Sequence, residues 1–178
     1  NPYNLFRIIT SSIRVLPDFI LFGGTRSGVM TLTKYIQEHP NVYTVRNVHF
    51  FEYTSSNKVE WYKRHFPTNF YKNYFKLKHK QKLVVGESTG TYLFHSEVSK
   101  RIKEHIPNVK LIVMLKNPIK SIYSRYYVFR NEGLESSSFE DVIKMQMERI
   151  KIGDERNELR INNPESDRKS TRLNSSHK

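Results

Sequence analysis

Short apolar runs alternate with amphipathic segments along most of the chain. The run Phe19-Ile20-Leu21-Phe22 ends at two glycines, which is typical of a strand buried on both faces. Similar runs predict further strands over 41–45, 83–86 and 109–115. Helical apolar spacing predicts helices over 28–38, 58–66, 96–106 and 118–131, and a last one that follows a cap of Ser137 with Glu140 and ends near residue 151. Strands that alternate with helices indicate an α/β fold with a three-layer, parallel sheet.

Three segments depart from this alternation. Residues 1–16 mix apolar and basic positions and predict a short helical lead-in, which Pro17 ends. Residues 17–152 then form the predicted domain, in which the Lys-, Tyr- and Phe-rich stretch 67–82 is expected to be a surface segment. Residues 153–178 are polar and lack apolar periodicity, so we expect disorder there. Their last part, DRKSTRLNSSHK, resembles translated sequencing-adapter read-through, which indicates a non-native tail.

Composition narrows the classes of partner and chemistry. The chain has 178 residues, 37% of them hydrophobic, and a formal net charge of +13. Such a charge favours nucleotide phosphates, nucleic acid, acidic glycans or anionic lipid as partners without choosing among them. The chain contains no cysteine, which excludes disulfides and thiolate catalysis. No apolar run approaches the ~20 residues of a membrane span, and no histidine pair has zinc-ligand spacing, so neither a span in this chain nor a metal site is expected.

The segment from Phe19 to Leu32, FILFGGTRSGVMTL, predicts a strand, a glycine-containing turn and the start of a helix. Backbone N–H groups at such a turn attract anions, and the helix dipole adds to that attraction. Arg26 contributes a full positive charge inside the turn, and Gly28 lets the backbone approach a phosphate closely. The segment therefore predicts either an anion cradle or an ordinary strand–helix turn.

The same turn has the glycine spacing of the nucleotide-triphosphate loop GxxxxGK[ST], with Gly23 and Gly28 as its glycines. Val29 and Met30 stand where that motif has its lysine and its hydroxyl residue. The groups that hold a γ-phosphate and a magnesium ion are thus absent from the motif, which argues against ATP or GTP hydrolysis.

A second candidate anion site follows the strongest strand signal. In KLIVMLKNPIKSIYSRYY, Lys116 comes just after the strand, and Ser124 lies eight residues later on the next helix. Carboxyl ends of parallel strands are where α/β folds bind ligands, so this cation and hydroxyl could hold a second phosphate. A strand–turn–helix with a surface lysine and serine remains the alternative interpretation.

Together the two segments resemble those of sulfotransferases. The first is similar to that family's 5′-phosphosulfate loop, FLIIGxxKSGTTSL, with Arg26 in place of the catalytic lysine. The second is similar to its 3′-phosphate segment, LRNPxxRAYSxY, with Lys116 at the arginine and Ser124 at the serine. The resemblance covers roughly residues 16–150. It implies an incomplete sulfotransferase fold, truncated at its C-terminal side, with 3′-phosphoadenosine 5′-phosphosulfate (PAPS) as co-substrate and no metal. The donor-binding residues that it implies are Arg26, Ser27, Gly28, Val29, Met30, Thr31, Lys116 and Ser124, of which Val29 and Met30 offer backbone groups alone.

The resemblance also implies candidate catalytic groups. VRNVHFF, residues 45–51, is similar to the family's KEPHFF segment, whose glutamate corresponds to Asn47 here. Because asparagine cannot accept a proton at neutral pH, the expected general base is His49, as in the cytosolic branch of the family. A structural, partly buried His49 is the alternative. GESTGTYL, residues 86–93, is similar to the cleft-lining GEKTPxYF segment, with Glu87 as a second candidate base and Ser88 where some members carry a lysine.

The function implied is transfer of a sulfuryl group from PAPS to a hydroxyl or amine of a carbohydrate-type acceptor. Two alternatives stay open. Asn47, Ser88 and the truncation would suit a catalytically impaired, sulfotransferase-like binding protein. A P-loop nucleotide kinase would need a lysine and a hydroxyl residue directly after Gly28. Nucleic acid is not expected as a partner, because it would leave two phosphate motifs on strand ends unexplained.

Overall fold

The computed structural model describes residues 2–52 and 58–151, so the predicted tail over 153–178 lies outside the described residues. The predicted parallel sheet is confirmed. Its four strands are β1 (Phe19–Gly23), β2 (Val42–Arg46), β3 (Val84–Ser88) and β4 (Lys110–Met114). They pair only in parallel, in the order β2-β3-β1-β4, so crossover segments carry the chain between successive strands.

Helices flank and connect these strands. Their bounds are α1 (Pro2–Ile9), α2 (Val29–Glu38), α3 (Val59–Lys63), α4 (Asn69–His79), α5 (Val98–His105), α6 (Pro118–Asn131) and α7 (Phe139–Lys151), with 3₁₀ turns at Ser11–Ile13 and Gly90–Phe94. Within the described ranges, no helix is long and apolar enough to cross a bilayer.

The central strand β1 is buried along its whole length because it pairs with β3 on one side and β4 on the other. Side chains alternate between the two faces of a strand, so β1 serves two cores. Ile20 joins a large aromatic core that includes Phe51 and Tyr62. Leu21 packs on the opposite face with Val29 of α2. Apolar residues on both faces explain why the strand appears as a continuous hydrophobic run in the sequence.

The stretch 67–82, to which the sequence pattern gave no element, contains helix α4. Thr68 caps this helix, since its Oγ1 accepts a hydrogen bond from the Tyr71 N–H at 3.1 Å. Phe75 is the buried residue of the helix, whereas Phe70, Tyr74 and Leu77 are exposed. A helix that inserts one side chain into the core leaves no apolar stripe for sequence reasoning to detect.

Within the described residues, the chain divides into two compact units, the first ending at Lys116 and the second beginning at Asn117. The first contains the sheet with α1 to α5. In the second, Tyr126 of α6 packs its ring 5.2 Å from that of Phe139 at the start of α7, and its hydroxyl donates to the Ser137 carbonyl at 2.9 Å. The cap of α7 is Ser138 and not the predicted Ser137, because the Asp141 N–H donates to Ser138 Oγ at 3.2 Å. The predicted domain over 17–152 stays a prediction.

Candidate active site

The turn between β1 and α2 is built around close backbone contacts. A Cβ at Gly23 would lie 2.2 Å from the carbonyl oxygen of Met114 on β4, so only glycine fits there. The Gly24 N–H donates to that same carbonyl at 3.1 Å, and the Ser27 N–H donates to the Gly24 carbonyl at 3.1 Å. Gly28 has φ of +93°, a conformation that glycine adopts without strain, and it is the N-cap of α2. The strand end, the turn and the helix start are thereby fixed together.

This turn has the features of an anion site. The first N–H groups of α2 have no partner within the helix, and the helix dipole places partial positive charge there. Ser27 Oγ is buried and has no hydrogen-bond partner among the described residues, so its hydroxyl is left for a bound group. Arg26 is exposed, with φ of +58°, which places a cation beside the turn in a backbone conformation uncommon for residues other than glycine. These groups fit a phosphate or phosphosulfate.

We expect Gly23→Ala to destabilise the protein by about 1–3 kcal/mol, because its methyl group would overlap a backbone carbonyl that cannot move without breaking the β1–β4 pairing. Gly24→Ala is the matched control, since no atom lies within 4 Å of its Cβ position. Urea unfolding of both variants measures the difference. Equal unfolding midpoints would contradict this account of the turn.

The remaining predicted loop residues divide between core and surface. Val29 is buried, so its side chain is directed away from solvent and only its backbone is left to offer a ligand. Met30 and Thr31 are exposed in the first turn of α2. Ser88 is buried and engaged elsewhere: its Oγ hydrogen-bonds Thr33 Oγ1 at 2.7 Å and so ties β3 to α2. Ser88 therefore serves the packing of the sheet.

The second predicted anion site involves both compact units. Lys116 is exposed two residues after the end of β4, in the first unit. Ser124 is half-buried on α6, in the second unit. Asn117 caps α6, with its side-chain oxygen accepting from the Lys120 N–H at 3.2 Å. The joint binding of a 3′-phosphate by Lys116 and Ser124 stays a prediction.

His49 lies in a polar cluster after β2. Its Nδ1 is 2.9 Å from Glu52 Oε2, and a carboxylate accepts, so Nδ1 carries the proton of that bond. Thr91 Oγ1 donates to Glu52 Oε1 and lies 3.3 Å from His49 Nδ1. The His95 Nε2 is 3.9 Å from the same carboxylate. The His49 side chain is 37% exposed and that of Glu52 only 6%, so a shielded carboxylate orients an accessible imidazole.

Glu87 occupies a different environment, although it was predicted as a second base. It is fully buried, and three hydroxyls donate to its carboxylate: Tyr62, Tyr92 at 2.6 Å and Thr89 at 2.7 Å. Burial raises the pKa of Glu87, and the hydrogen bonds of the three hydroxyls act against that rise. A carboxylate so enclosed is out of reach of an acceptor molecule, so the structure favours a supporting role.

That role reaches His49 through the backbone. Thr89 Oγ1, which donates to Glu87, accepts from the Val48 N–H at 3.3 Å. Val48 lies between Asn47 and His49, whose φ values of +54° and +56° are uncommon for residues other than glycine. Asn47 itself is exposed, and its N–H donates to the Ser88 carbonyl at 2.9 Å. Hydrogen bonds to Ser88, the last residue of β3, and to Thr89 after it thus hold the loop that carries the imidazole in an unusual conformation.

Glu87→Gln should remove a pH dependence of stability. A carboxyl group whose pKa is raised on folding favours the folded state most at low pH, where it is protonated in both states. Its contribution then falls as pH rises from its ordinary pKa to the raised one. We therefore expect the stability of Glu87→Gln relative to the original chain to increase across that interval. Urea midpoints of both proteins over a pH series measure this, and a difference independent of pH would contradict it.

The parallel topology brings the predicted residues to one edge of the sheet. Arg26, His49 and Lys116 follow the carboxyl ends of β1, β2 and β4, and Glu87 lies near the end of β3. The carboxyl edge of an open parallel sheet is the usual ligand site of α/β folds. Sequence reasoning missed Glu52, Thr89 and Thr91, of which Glu52 had a signal as an acidic residue three positions after His49. No group of three metal-ligating side chains is present in the described part of the chain.

Comparisons with known proteins agree with this geometry. The family model described as "Sulfotransferase domain" matches residues 16–160. The chain is 31% identical over 121 residues to "Membrane-associated sulfotransferase kil1" of Dictyostelium discoideum, covering 67% of this chain and 24% of that protein. It is 26% identical over 124 residues to "Bifunctional heparan sulfate N-deacetylase/N-sulfotransferase 1" of Caenorhabditis elegans, covering 65% and 13%. With "Heparan sulfate glucosamine 3-O-sulfotransferase 3A1" of Mus musculus it shares 24% over 142 residues, covering 79% and 34%.

A solved structure shows the same fold. The crystal structure of a sulfotransferase from Alicyclobacillus acidocaldarius superposes with a TM-score of 0.56 at 24% identity, over 77% of this chain and 59% of that one. The chain thus spans about a third or less of the length of the three curated relatives above.

Proposed function

Because the chain belongs to the sulfotransferase family, we propose that it transfers a sulfuryl group from PAPS to a hydroxyl or amine of a carbohydrate-type acceptor. The observation that carries the proposal is the placement of an anion-binding turn and a histidine–carboxylate pair at one edge of the sheet. The first suits the donor, and the second suits proton removal from the acceptor. The heparan sulfate enzymes among its relatives support a glycan as the acceptor.

The donor end of the site consists of the β1–α2 turn. Ser27 Oγ and the free N–H groups at the start of α2 would hold the 5′-phosphate oxygens, with the cation of Arg26 beside them. Lys116 would attract the 3′-phosphate, as a point charge without the two-pronged geometry of arginine. PAPS supplies the activated sulfuryl group when it is bound. The residues of the turn would stabilise negative charge that develops on the leaving phosphate.

The acceptor end consists of His49 and the groups that orient it. Glu52 accepts the Nδ1 proton, so Nε2 is unprotonated in the neutral imidazole and can take the proton of the acceptor. The acceptor oxygen or nitrogen then forms the new bond to sulfur as the bond from sulfur to the phosphate oxygen breaks. Glu52 would stabilise the imidazolium that results. Glu87 and Thr89 act through the backbone at Val48 and are positioning residues.

A second candidate function, binding without catalysis, is favoured by two specific replacements. Asn47 stands where the family's glycan-modifying branch has a glutamate base, and Ser88 stands where some members have a lysine. The buried bond of Ser88 to Thr33 shows that its hydroxyl is not available for a substrate. A protein with these changes could retain the donor site and lose turnover.

Incubation of the purified chain with radiolabelled PAPS and desulfated heparin tests both candidates. Label transferred to the polysaccharide supports the sulfotransferase proposal. Calorimetric binding of adenosine 3′,5′-bisphosphate without any transfer favours the binding protein instead. Absence of both transfer and nucleotide binding in a folded chain would overturn the proposed donor site.

A further inference from the structure

An exposed apolar surface lies on the first helix and the 3₁₀ turn that follows it, before β1 and the loops of the candidate site. It consists of Leu5, Phe6, Ile8 and Ile9 of α1 with Ile13 of the following 3₁₀ turn, and we call it the α1 patch. Its side chains are between 52% and 69% exposed. A surface helix ordinarily turns its apolar side to the core, whereas the apolar side of α1 faces solvent. A contiguous apolar surface of this kind marks an interaction site.

The patch is firmly attached to the first compact unit. Arg14, just after the 3₁₀ turn, donates from Nη1 to the Phe66 carbonyl at 2.5 Å, and the Val15 N–H donates to the Pro67 carbonyl at 3.0 Å. Lys63 Nζ donates to the Ser12 carbonyl at 2.7 Å, which places the end of α3 beside the patch. On the polar side of α1, Arg7 is half-buried. The apolar side chains are therefore presented by a supported element.

The border of the patch is positively charged. Lys63 and Arg64 lie at the end of α3, and Arg7 is close enough to Arg64 to join burial in lowering the pKa of that guanidinium. The sequence has no aspartate or glutamate in residues 1–17 or in residues 61–86. Positive side chains thus lie beside the patch at the end of α3, whereas the acidic residue of α3, Glu60, lies in the first turn of that helix.

We propose that the α1 patch docks the protein on an anionic lipid surface, with its apolar side chains in the headgroup and acyl boundary and its cations against the lipid phosphates. A soluble polyanion would use the cations but would leave five aliphatic and aromatic side chains in water. A second copy of the chain would cover the apolar side chains but would bring two sets of cations together. A bilayer of anionic lipid satisfies both features. This proposal is independent of the sulfuryl-transfer activity.

Sedimentation of the chain with vesicles tests the proposal. We expect binding to vesicles of equal parts phosphatidylcholine and phosphatidylserine, little binding to phosphatidylcholine alone, and weakening at high salt. Leu5→Gln with Ile9→Gln should reduce the partition coefficient roughly tenfold through lost apolar burial. Lys63→Gln with Arg64→Gln should reduce it about fivefold for each cation removed.

Matched controls distinguish binding through the α1 patch from non-specific adsorption to the vesicles. Leu77→Gln removes an apolar side chain that is 81% exposed in the last turn of α4. Lys76→Gln with Lys78→Gln removes two positive charges from the same turn, as many as Lys63→Gln with Arg64→Gln removes. Neither control should change the partition coefficient, and circular dichroism verifies the fold of every variant. Equal losses in the controls, or unchanged binding in Leu5→Gln with Ile9→Gln, would overturn the proposal in favour of charge alone. A dimer in light scattering that this double variant dissociates would overturn it in favour of self-association.

Discussion

Replacing His49 with asparagine should lower the turnover number for sulfuryl transfer by about 10²–10⁴-fold, the usual contribution of a positioned general base. Asparagine tolerates the positive φ of +56° at this position better than most residues, so the loop should keep its conformation. The affinity for adenosine 3′,5′-bisphosphate should stay unchanged, because we propose that the imidazole acts on the acceptor and not on the donor. Initial rates with labelled donor and calorimetry of the nucleotide measure the two quantities.

His95→Ala is the matched control for His49→Asn. The His95 imidazole lies 3.9 Å from the same Glu52 carboxylate, so it shares the electrostatic environment without the 2.9 Å bond to that carboxylate. We expect His95→Ala to keep most of the turnover. Retention of more than about a tenth of the turnover in His49→Asn would place the base elsewhere. A parallel loss of nucleotide binding would instead indicate that the loop after β2 had collapsed.

The fold could be predicted largely because its strands carry short apolar runs; β1 is buried along its whole length, whereas the apolar side chains of β4 are largely exposed. β1 and β4 appear as continuous apolar runs, and their glycine or proline boundaries fix their ends to within one or two residues. The parallel sheet follows from their alternation with helices. Helix α4 escaped prediction because its sequence has aromatic and lysine side chains all round, and its place is set by Thr68 as a cap and by Phe75 as a single anchor.

The candidate site divides along similar lines. The strand–turn–helix that bears Arg26 and Ser27 could be predicted, because glycine spacing and the strand before it are local properties. The contact that makes Gly23 necessary involves Met114, and the hydroxyl that engages Ser88 belongs to Thr33; both partners are remote in sequence. Local sequence therefore could not distinguish residues that face a ligand from those that tie elements together.

The two glutamates near His49 illustrate the same limit. Glu87 was a candidate base from its motif, yet its depth below the surface depends on Tyr62 and Tyr92, which close over it from α3 and from the 3₁₀ turn. Glu52 carried little signal, yet it is the carboxylate that holds the imidazole. Motif position indicates which residues lie near the reaction, and packing decides which of them can touch it.

Replacing Arg26 with glutamine should lower the turnover number by about 10²–10³-fold, the effect of removing one group that stabilises a developing oxyanion. Donor affinity should fall by less, because the N–H groups of the turn and Ser27 remain. The expected difference follows from electrostatics. Charge on the leaving phosphate grows only during the reaction, so a guanidinium that stabilises this charge should act more strongly on the transition state than on the bound donor. Rates at saturating donor, with affinity measured separately, test this.

Arg26→Lys is the conservative variant that makes this test specific. The sulfotransferase loop usually carries lysine at this position, so lysine should restore most of the turnover that glutamine removes. Lys34→Gln is the matched control, since it removes one exposed charge from α2 outside the turn and should leave both quantities unchanged. Equal losses of affinity and turnover in Arg26→Gln would mean that the cation only docks the donor, and failure of Arg26→Lys to recover turnover would mean that the guanidinium holds the turn in place rather than stabilising charge. Recovery of turnover by lysine, with turnover falling more than affinity in the glutamine variant, requires a cation that acts on the reacting phosphate. Lysine could not replace an arginine whose role was purely structural, because its flexible side chain carries a single ammonium group instead of the planar guanidinium.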